Sequence, residues 1–292
     1  MTLLVSLSTL TAAGFTWMTI RQANTEQQLA RDGQVTDRYT AAVANLGDTA
    51  EEVRIGGMYA LQRIAQDSPR DAPTVVQVLS AYVRSHTPDA RKSTAKPDQP
   101  ANDVQAALTI LAAPLIENTP VDLHDADIHG ANLRGADLEG ANLDGANLGN
   151  AHLESTDLHG ANLDGANLEN AVLDSADLDG ANLHVANLKD AHLAGAHLTD
   201  AILSGADLFG ADLAKAKLHG AILGGPLSAV QRYGPSSIVA DLGASDLRGA
   251  DLSDADLSGV DISGANLDGA NLTGAKGYKP LKTPQPSPST AH

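Results

Sequence analysis

Residues 131–150 read ANLRGADLEGANLDGANLGN, and the period of that stretch decides the fold of the C-terminal half. A leucine stands at every fifth position: Leu133, Leu138, Leu143 and Leu148. An α-helix would advance each successive leucine by about 140° beyond one full turn and scatter them over all its faces. A strand, whose side chains alternate, would put successive leucines on opposite faces. Neither buries them all. A chain that turns a corner every five residues, four corners to a coil, points every central leucine at one axis. The alanine two residues before each leucine is small enough to share that narrow interior, and the remaining positions face water.

The pattern runs outward from this stretch. Leucine, with isoleucine at 128, stands at every fifth position from 123 to 223, which makes 21 successive repeats. Alanine precedes each centre by two residues except at Val121 and Thr156, and the position between is mostly Asn, Asp or His. Two residues after the centre come Gly, Asn, Asp or Ser in most repeats, the types that tolerate the backbone of tight turns. The run breaks at GGPLSAVQRYGPSSIV, residues 224–239, and resumes at Leu242 for seven more units ending at Leu272. At four units per coil the two blocks predict about seven coils, a rod roughly 34 Å long at ~4.8 Å per coil.

The N-terminal 120 residues carry a different text. LLVSLSTLTAAGFTWMTI, residues 3–20, has no charge and approaches the length needed to cross a hydrocarbon core of about 30 Å. It reads as a transmembrane helix. The rival, a signal peptide, lacks both a basic stretch before the apolar run and a small-x-small site after it. Arg21 and Arg31 on its C-terminal side place the rest of the chain in the cytoplasm, so the expected localisation is the cell membrane, single-pass. Val35, Tyr39, Val43 and Leu46 recur at helical spacing until Gly47 stops the helix. AEEVRIGGMYALQRIAQD (50–67) places Val53, Met58, Leu61, Ile64 and Ala65 on one apolar face, and APTVVQVLSAYVRSH (72–86) and NDVQAALTILAAPLIEN (102–118) read as further helices. Gly56 and Gly57 sit in no phosphate-loop pattern and mark close helix packing instead.

The formal net charge is −17, with no cysteine and 3% aromatic residues. No cysteine means no disulfide and no thiolate metal site or nucleophile. So few aromatics provide no platform for stacking nucleic-acid bases. The charge is localised: residues 1–120 balance at −2, residues 121–239 at −12 and residues 240–292 at −3. A surface of that sign repels phosphate and anionic headgroups, so direct nucleic-acid binding is excluded and the expected partner is an unidentified basic or polar protein surface.

The units ANLRG (131–135), ADLEG (136–140), ANLDG (141–145 and 161–165) and ADLDG (176–180) resemble the pentapeptide-repeat family, whose signature is A(D/N)LxG. The resemblance covers about half the chain and implies a right-handed quadrilateral β-helix. A second resemblance lies in Arg38, Ala42, Leu46 and Gly47, VRIGGMYALQRIA (53–65) and VVQVLSAYVR (75–84), which look like the helical region of membrane-anchored pentapeptide-repeat proteins of actinobacteria. That group implies a transmembrane start, a helical domain and a cytoplasmic β-helix, with no biochemical activity. The fold class is therefore α+β in separate regions. The expected layout is a transmembrane helix at 1–21, a helical domain at 22–86, a linker at 87–102, a capping helix at 103–120, β-helix at 121–224, a loop insertion at 225–239, β-helix again at 240–276 and a disordered tail at 277–292.

Candidate chemistry is sparse. Carboxylates at turn and outward positions solubilise a coil and bond local backbone, and a convex rod offers no cleft for a paired-acid mechanism. His152 and His192 fall on one face two coils apart, roughly 9.6 Å, too far to share one ion; with His197 they read as exposed imidazoles. No catalytic residue, cofactor or metal is assigned, and the chain reads as a non-enzyme. Residues 20 apart stack in adjacent coils, so Asp137, Asp157 and Asp177 form a carboxylate column, the candidate binding surface, continued by His197 and Lys217. The expected function is a membrane-anchored scaffold presenting an acidic β-helical surface. The alternative, implied by the first resemblance, is mimicry of duplex DNA to engage a type II topoisomerase, against which stand Leu rather than Phe at the centres and the N-terminal helices.

Overall fold

The computed structural model describes residues 21, 22, 24–27, 33–87, 99–113, 119–224, 240–260, 262 and 264–277. They fall into two compact units divided between Val75 and Val76.

The first unit is helical. Helix α1 spans 33–46 and ends at Gly47, where the chain closes a turn on Ala44. Helix α2, Glu51–Asp67, starts with Glu51 and Glu52, whose charges suit the positive end of the helix dipole. It buries Gly57, Met58, Leu61, Ile64 and Ala65, while Val53 in the first turn stays 37% exposed, off the face expected for it. A Cβ on Gly57 would lie 2.8 Å from the Ala42 carbonyl oxygen and 2.9 Å from the Asn45 Cβ. Only glycine at 57 lets α1 and α2 come this close, whereas a Cβ on Gly56 would meet nothing within 4 Å, and the packing accounts for Gly57 alone. Arg38 and Asp67 pair at 3.2 Å across the same two helices. Helix α3, Ala72–His86, begins at the end of this unit.

The second unit is a stack of coils preceded by the rest of α3 and by α4, Asn102–Leu111. The Tyr82 hydroxyl donates to Asp103 at 2.6 Å, giving a carboxylate that is only 3% exposed the partner its burial demands. Helix α4 stops at Leu111, short of the expected 120. Each coil takes 20 residues and four sides. On every side the residue between Ala and Leu forms a parallel bridge to the residue 20 later, as Asn142 does with Asn162 and Asn147 with Asn167. The hydrogen bonds repeat in step: Leu163 N–H to the Asn182 carbonyl at 2.7 Å, Asn162 N–H to Ala141 at 2.9 Å, and Ala166 N–H back across the corner to Leu163 at 3.0 Å.

The five-residue period fills the core. Leu143, Leu163, Leu183 and Leu203, one above another, are all 0% exposed, as are Ala141, Ala161, Ala181 and Ala201. Thr156 replaces an alanine, is also fully buried, and donates its hydroxyl to the Leu133 carbonyl at 2.7 Å. Across the break Asp207 bridges Asp241, Asp212 bridges Asp246, Lys217 bridges Asp251 and Ile222 bridges Asp256, a separation of 34 in place of 20. The pairing therefore skips 14 residues, and each of the four columns continues across the break.

The membrane expectation is corrected. Among the described residues no helix is long and apolar enough to cross a membrane. The physical reason is plain in α1 to α4, where charged residues such as Arg38, Arg54, Arg63, Arg84 and Asp103 punctuate every helix and α4 would span only about 15 Å. A transmembrane helix as part of the fold, and single-pass placement in the cell membrane, are accordingly not supported. The apolar run at 3–20, most of the linker at 87–102, the insertion at 225–239 and the tail beyond Gly277 lie outside the described residues.

Candidate functional site

The turns set what each face can display. At the described corners, Gly264 apart, the residue two after the centre takes a left-handed backbone, with glycine at most of them and Asp, Asn, Ser, Lys, Ala or Val at the others. The residue before each centre projects outward from the bridge, so four columns of side chains run along the rod, one per face.

Faces 1 and 2, centred on Leu143 and Leu148, carry amide ladders. On face 1 the side-chain amides of Asn142, Asn162 and Asn182 donate to Asp122, Asn142 and Asn162 at 3.0, 3.3 and 3.0 Å. On face 2 Asn147, Asn167 and Asn187 donate to Asp127, Asn147 and Asn167 at 2.7, 2.8 and 2.9 Å. Asn167 Oδ1 also accepts the N–H of Glu169 at 3.2 Å, so one amide caps its own turn and ties two coils.

Face 4, centred on Leu158, carries the acidic column. Asp137 bridges Asp157, Asp157 bridges Asp177, and the column continues through His197 and Lys217 to Asp251 and Asn271. The three carboxylates are thus brought together in the order that 20-residue stacking implies. Each caps its turn through Oδ1, accepting the N–H of Glu139 (3.4 Å), His159 (2.9 Å) and Asp179 (3.0 Å). A carboxylate has no proton to donate to the rung above, so no ladder forms. Among the described residues Oδ2 of Asp137 and of Asp157 makes no hydrogen bond.

Lower on this face Asp177, Asp179 and His197 bring one possible ligand atom each within 4.8 Å of one another. Asp179 Oδ1 already accepts the Thr199 N–H at 2.6 Å, and the Lys217 ammonium lies 2.9 Å from His197 Nε2, a fixed positive charge beside any incoming cation. His152 and His192 each bridge Val172, which keeps them two coils apart.

Two ion clusters lie beside the first coils. At the first coil Arg84 of α3 pairs with Asp122 and lies 2.9 Å from His124 Nδ1, which in turn lies 2.7 Å from Asp122. Burial pushes the Asp122 carboxyl up, but the hydrogen bond from His124 and the charge of Arg84 outweigh it and hold it below its ordinary value. On face 3 Arg134 reaches Glu154 and His152, each at 2.8 Å. Burial raises Glu154, yet its backbone hydrogen bond and the Arg134 contact bring it below the usual range.

Sequence reasoning missed the ladders and the exposed apolar side chains Val185, Ile202 and Ile222. The signal for the last two was present: isoleucines 20 apart in a column whose other members, Asp122, Asn142, Asn162, Asn182, Asp256 and Lys276, are all polar.

The family described as Pentapeptide repeats matches residues 122–160, 152–184, 186–225 and 240–274, in eight copies. Among solved structures the chain is similar to HetL, a pentapeptide repeat protein involved in heterocyst differentiation regulation from the cyanobacterium Nostoc, at 36% identity over 53% of this chain and 71% of that one, with a TM-score of 0.26. A pentapeptide repeat protein of the Arabidopsis thaliana thylakoid lumen matches at 28% identity over 44% and 69%, TM-score 0.24. QnrB1, a plasmid-mediated fluoroquinolone resistance protein, matches at 23% over 52% and 77%, TM-score 0.22. No curated protein matches.

Proposed function

The chain is a member of the pentapeptide-repeat family through residues 122–274, and on that premise we propose that it is a non-enzymatic protein-binding scaffold whose acidic β-helical surface docks a basic partner. The observation that carries this reading is the column Asp137, Asp157 and Asp177. Three carboxylates stand in line at one-coil spacing, each held by its own turn, on a face where no ladder absorbs them. Fixed charges in a row raise the local potential and steer a basic surface at no cost in side-chain ordering. Binding fits the geometry better than catalysis, because the polar side chains line convex faces and spend one oxygen on backbone N–H groups.

The test compares the full chain with an Asp137→Asn/Asp157→Asn/Asp177→Asn variant as bait in lysate, at low and high salt, with captured proteins quantified. Asparagine keeps the turn-capping oxygen, so the fold is retained while the charge is lost. Proteins with basic surfaces should be recovered by the parent at low salt and lost from the variant. Equal recovery by both removes the column from the account. A gyrase supercoiling assay separates the other reading: inhibition by the full chain would move the assignment to topoisomerase binding.

A further inference from the structure

Among the described residues of the β-helix, four large apolar side chains stand exposed: Val185 (43%), Ile202 (39%), Phe209 (45%) and Ile222 (41%). Phe209 already has neighbours, since its ring lies 2.9 Å from where a Cβ on Gly243 would sit and has the Lys189 ammonium 6.0 Å from its centre. The other three share face 1. Ile202 bridges Ile222 in the next coil, and both occupy the column that holds Asn142, Asn162 and Asn182 above them. The amide ladder stops where the isoleucines begin.

Val185 makes the independent point. It sits at the corner of the same face with φ +48°, a left-handed backbone that costs a β-branched residue strain. Its counterparts in the coils above and below, Gly145, Gly165 and Gly205, are glycines with φ between 62° and 75°. Neither packing nor turn chemistry calls for a strained, exposed valine where glycine serves.

The rim is acidic. Asp256 bridges Ile222 from below, and Asp200 and Asp254 stand at the corner that leads into the face, against two nearby imidazoles, His184 and His219, the latter 4.0 Å from Asp254, and Lys276 at the foot of the column. A second copy of this acidic rod would be repelled. We propose that Val185, Ile202 and Ile222 form a docking patch for a basic amphipathic helix of a partner protein, laid along the rod axis. The spacing fits: adjacent coils are about 4.8 Å apart, and helix positions i and i+4 rise about 6 Å, so successive apolar side chains of the helix meet successive coils while Lys or Arg on its flanks meets the rim. This inference rests on the protein-binding reading but uses a different face.

The probe is a fluorescein-labelled peptide of about 18 residues, Leu and Lys arranged with one apolar face, titrated into the full chain and read by anisotropy. Two controls carry the same composition scrambled, and Glu in place of Lys. The amphipathic Leu/Lys peptide should bind about tenfold or more tightly than either control. Ile202→Asn/Ile222→Asn, which extends the ladder and so should not lower the melting temperature, should weaken binding about tenfold. Val185→Gly should raise the melting temperature and still weaken binding. Absence of binding by the parent chain, equal binding of the scrambled peptide, or unchanged binding by the double Asn variant overturns the proposal. So does binding that emerges only when 225–239 is replaced by a Gly-Ser segment of equal length, since the patch would then belong to the chain itself. Any of those outcomes, with the acidic-column variant still losing its partners, would remove the patch and leave the scaffold reading intact.

Discussion

Face 2 and face 4 share one backbone, one bridge pattern and one interior, and differ in a single functional group per coil. On face 2 Asn147, Asn167 and Asn187 each accept a turn N–H or donate to the rung above, and the column is a chain of hydrogen bonds. On face 4 Asp137, Asp157 and Asp177 accept the same kind of turn N–H but cannot donate, so the column keeps its charge and gains no inter-coil bond. The amide stabilises the stack, whereas the carboxylate leaves a charge for another molecule to meet. Both solutions are open because the interior, not the surface, holds the coil together.

The interior is where a substitution should cost the stack most. Leu163, 0% exposed, replaced by Asp would bury a charge without a partner and should cost at least about 4 kcal/mol in chemical denaturation. Asp164→Ser, next to it and outward, should change stability by no more than about 0.5 kcal/mol. Equal tolerance at the two positions would show that the assigned register is wrong.

The reciprocal swaps sharpen it. Asn167→Asp removes the donor to Asn147 and inserts charge into a ladder, and should destabilise by about 1–2 kcal/mol. Asp157→Asn installs a donor facing Asp137 and removes the central charge of the column, so it should stabilise by roughly 0.5–1 kcal/mol at low salt. Part of the gain should fade as salt screens the column. Loss of stability from Asp157→Asn at every salt concentration would mean that the carboxylate holds its turn in a way the amide does not.

Asp122 combines the two chemistries: it ends the face 1 ladder and carries an ion pair to Arg84. Its carboxyl is held below its ordinary value, so its contribution is complete above about pH 4 and is lost as the pH falls below that. The pair is partly exposed, so Asp122→Asn should cost at most about 1 kcal/mol at pH 7. The difference from the parent should close as the pH falls through the lowered pKa of this carboxyl. A difference that persists below that pH would assign the effect to shape and not to charge.

Much of this molecule is legible in one line of text because each repeat carries its own instructions. A centre every five residues, a small residue two before it and a turn former two after it define the corner, the interior and the outward positions without reference to distant chain. Counting by 20 then places Asp137, Asp157 and Asp177 in one column and separates His152 from His192. What the repeat text could not decide depends on groups that meet only after the coils stack. The amide ladders need a donor aimed at the rung above, which the letters Asn and Asp alone do not distinguish from simple turn capping. The second block resumes the columns because Asp207 finds Asp241, a choice made by the bridge and not by the break. At the N-terminal end the Gln105 side chain pairs with the backbone of Asn132, and the Asp137 N–H finds the Ala112 carbonyl, joining α4 to the first coil through contacts between residues of unrelated spacing. Gly57 answers to the Ala42 carbonyl of another helix. Local periodicity is written residue by residue, whereas the partners of a hydrogen bond or a close approach between elements are set by where the whole chain has placed them.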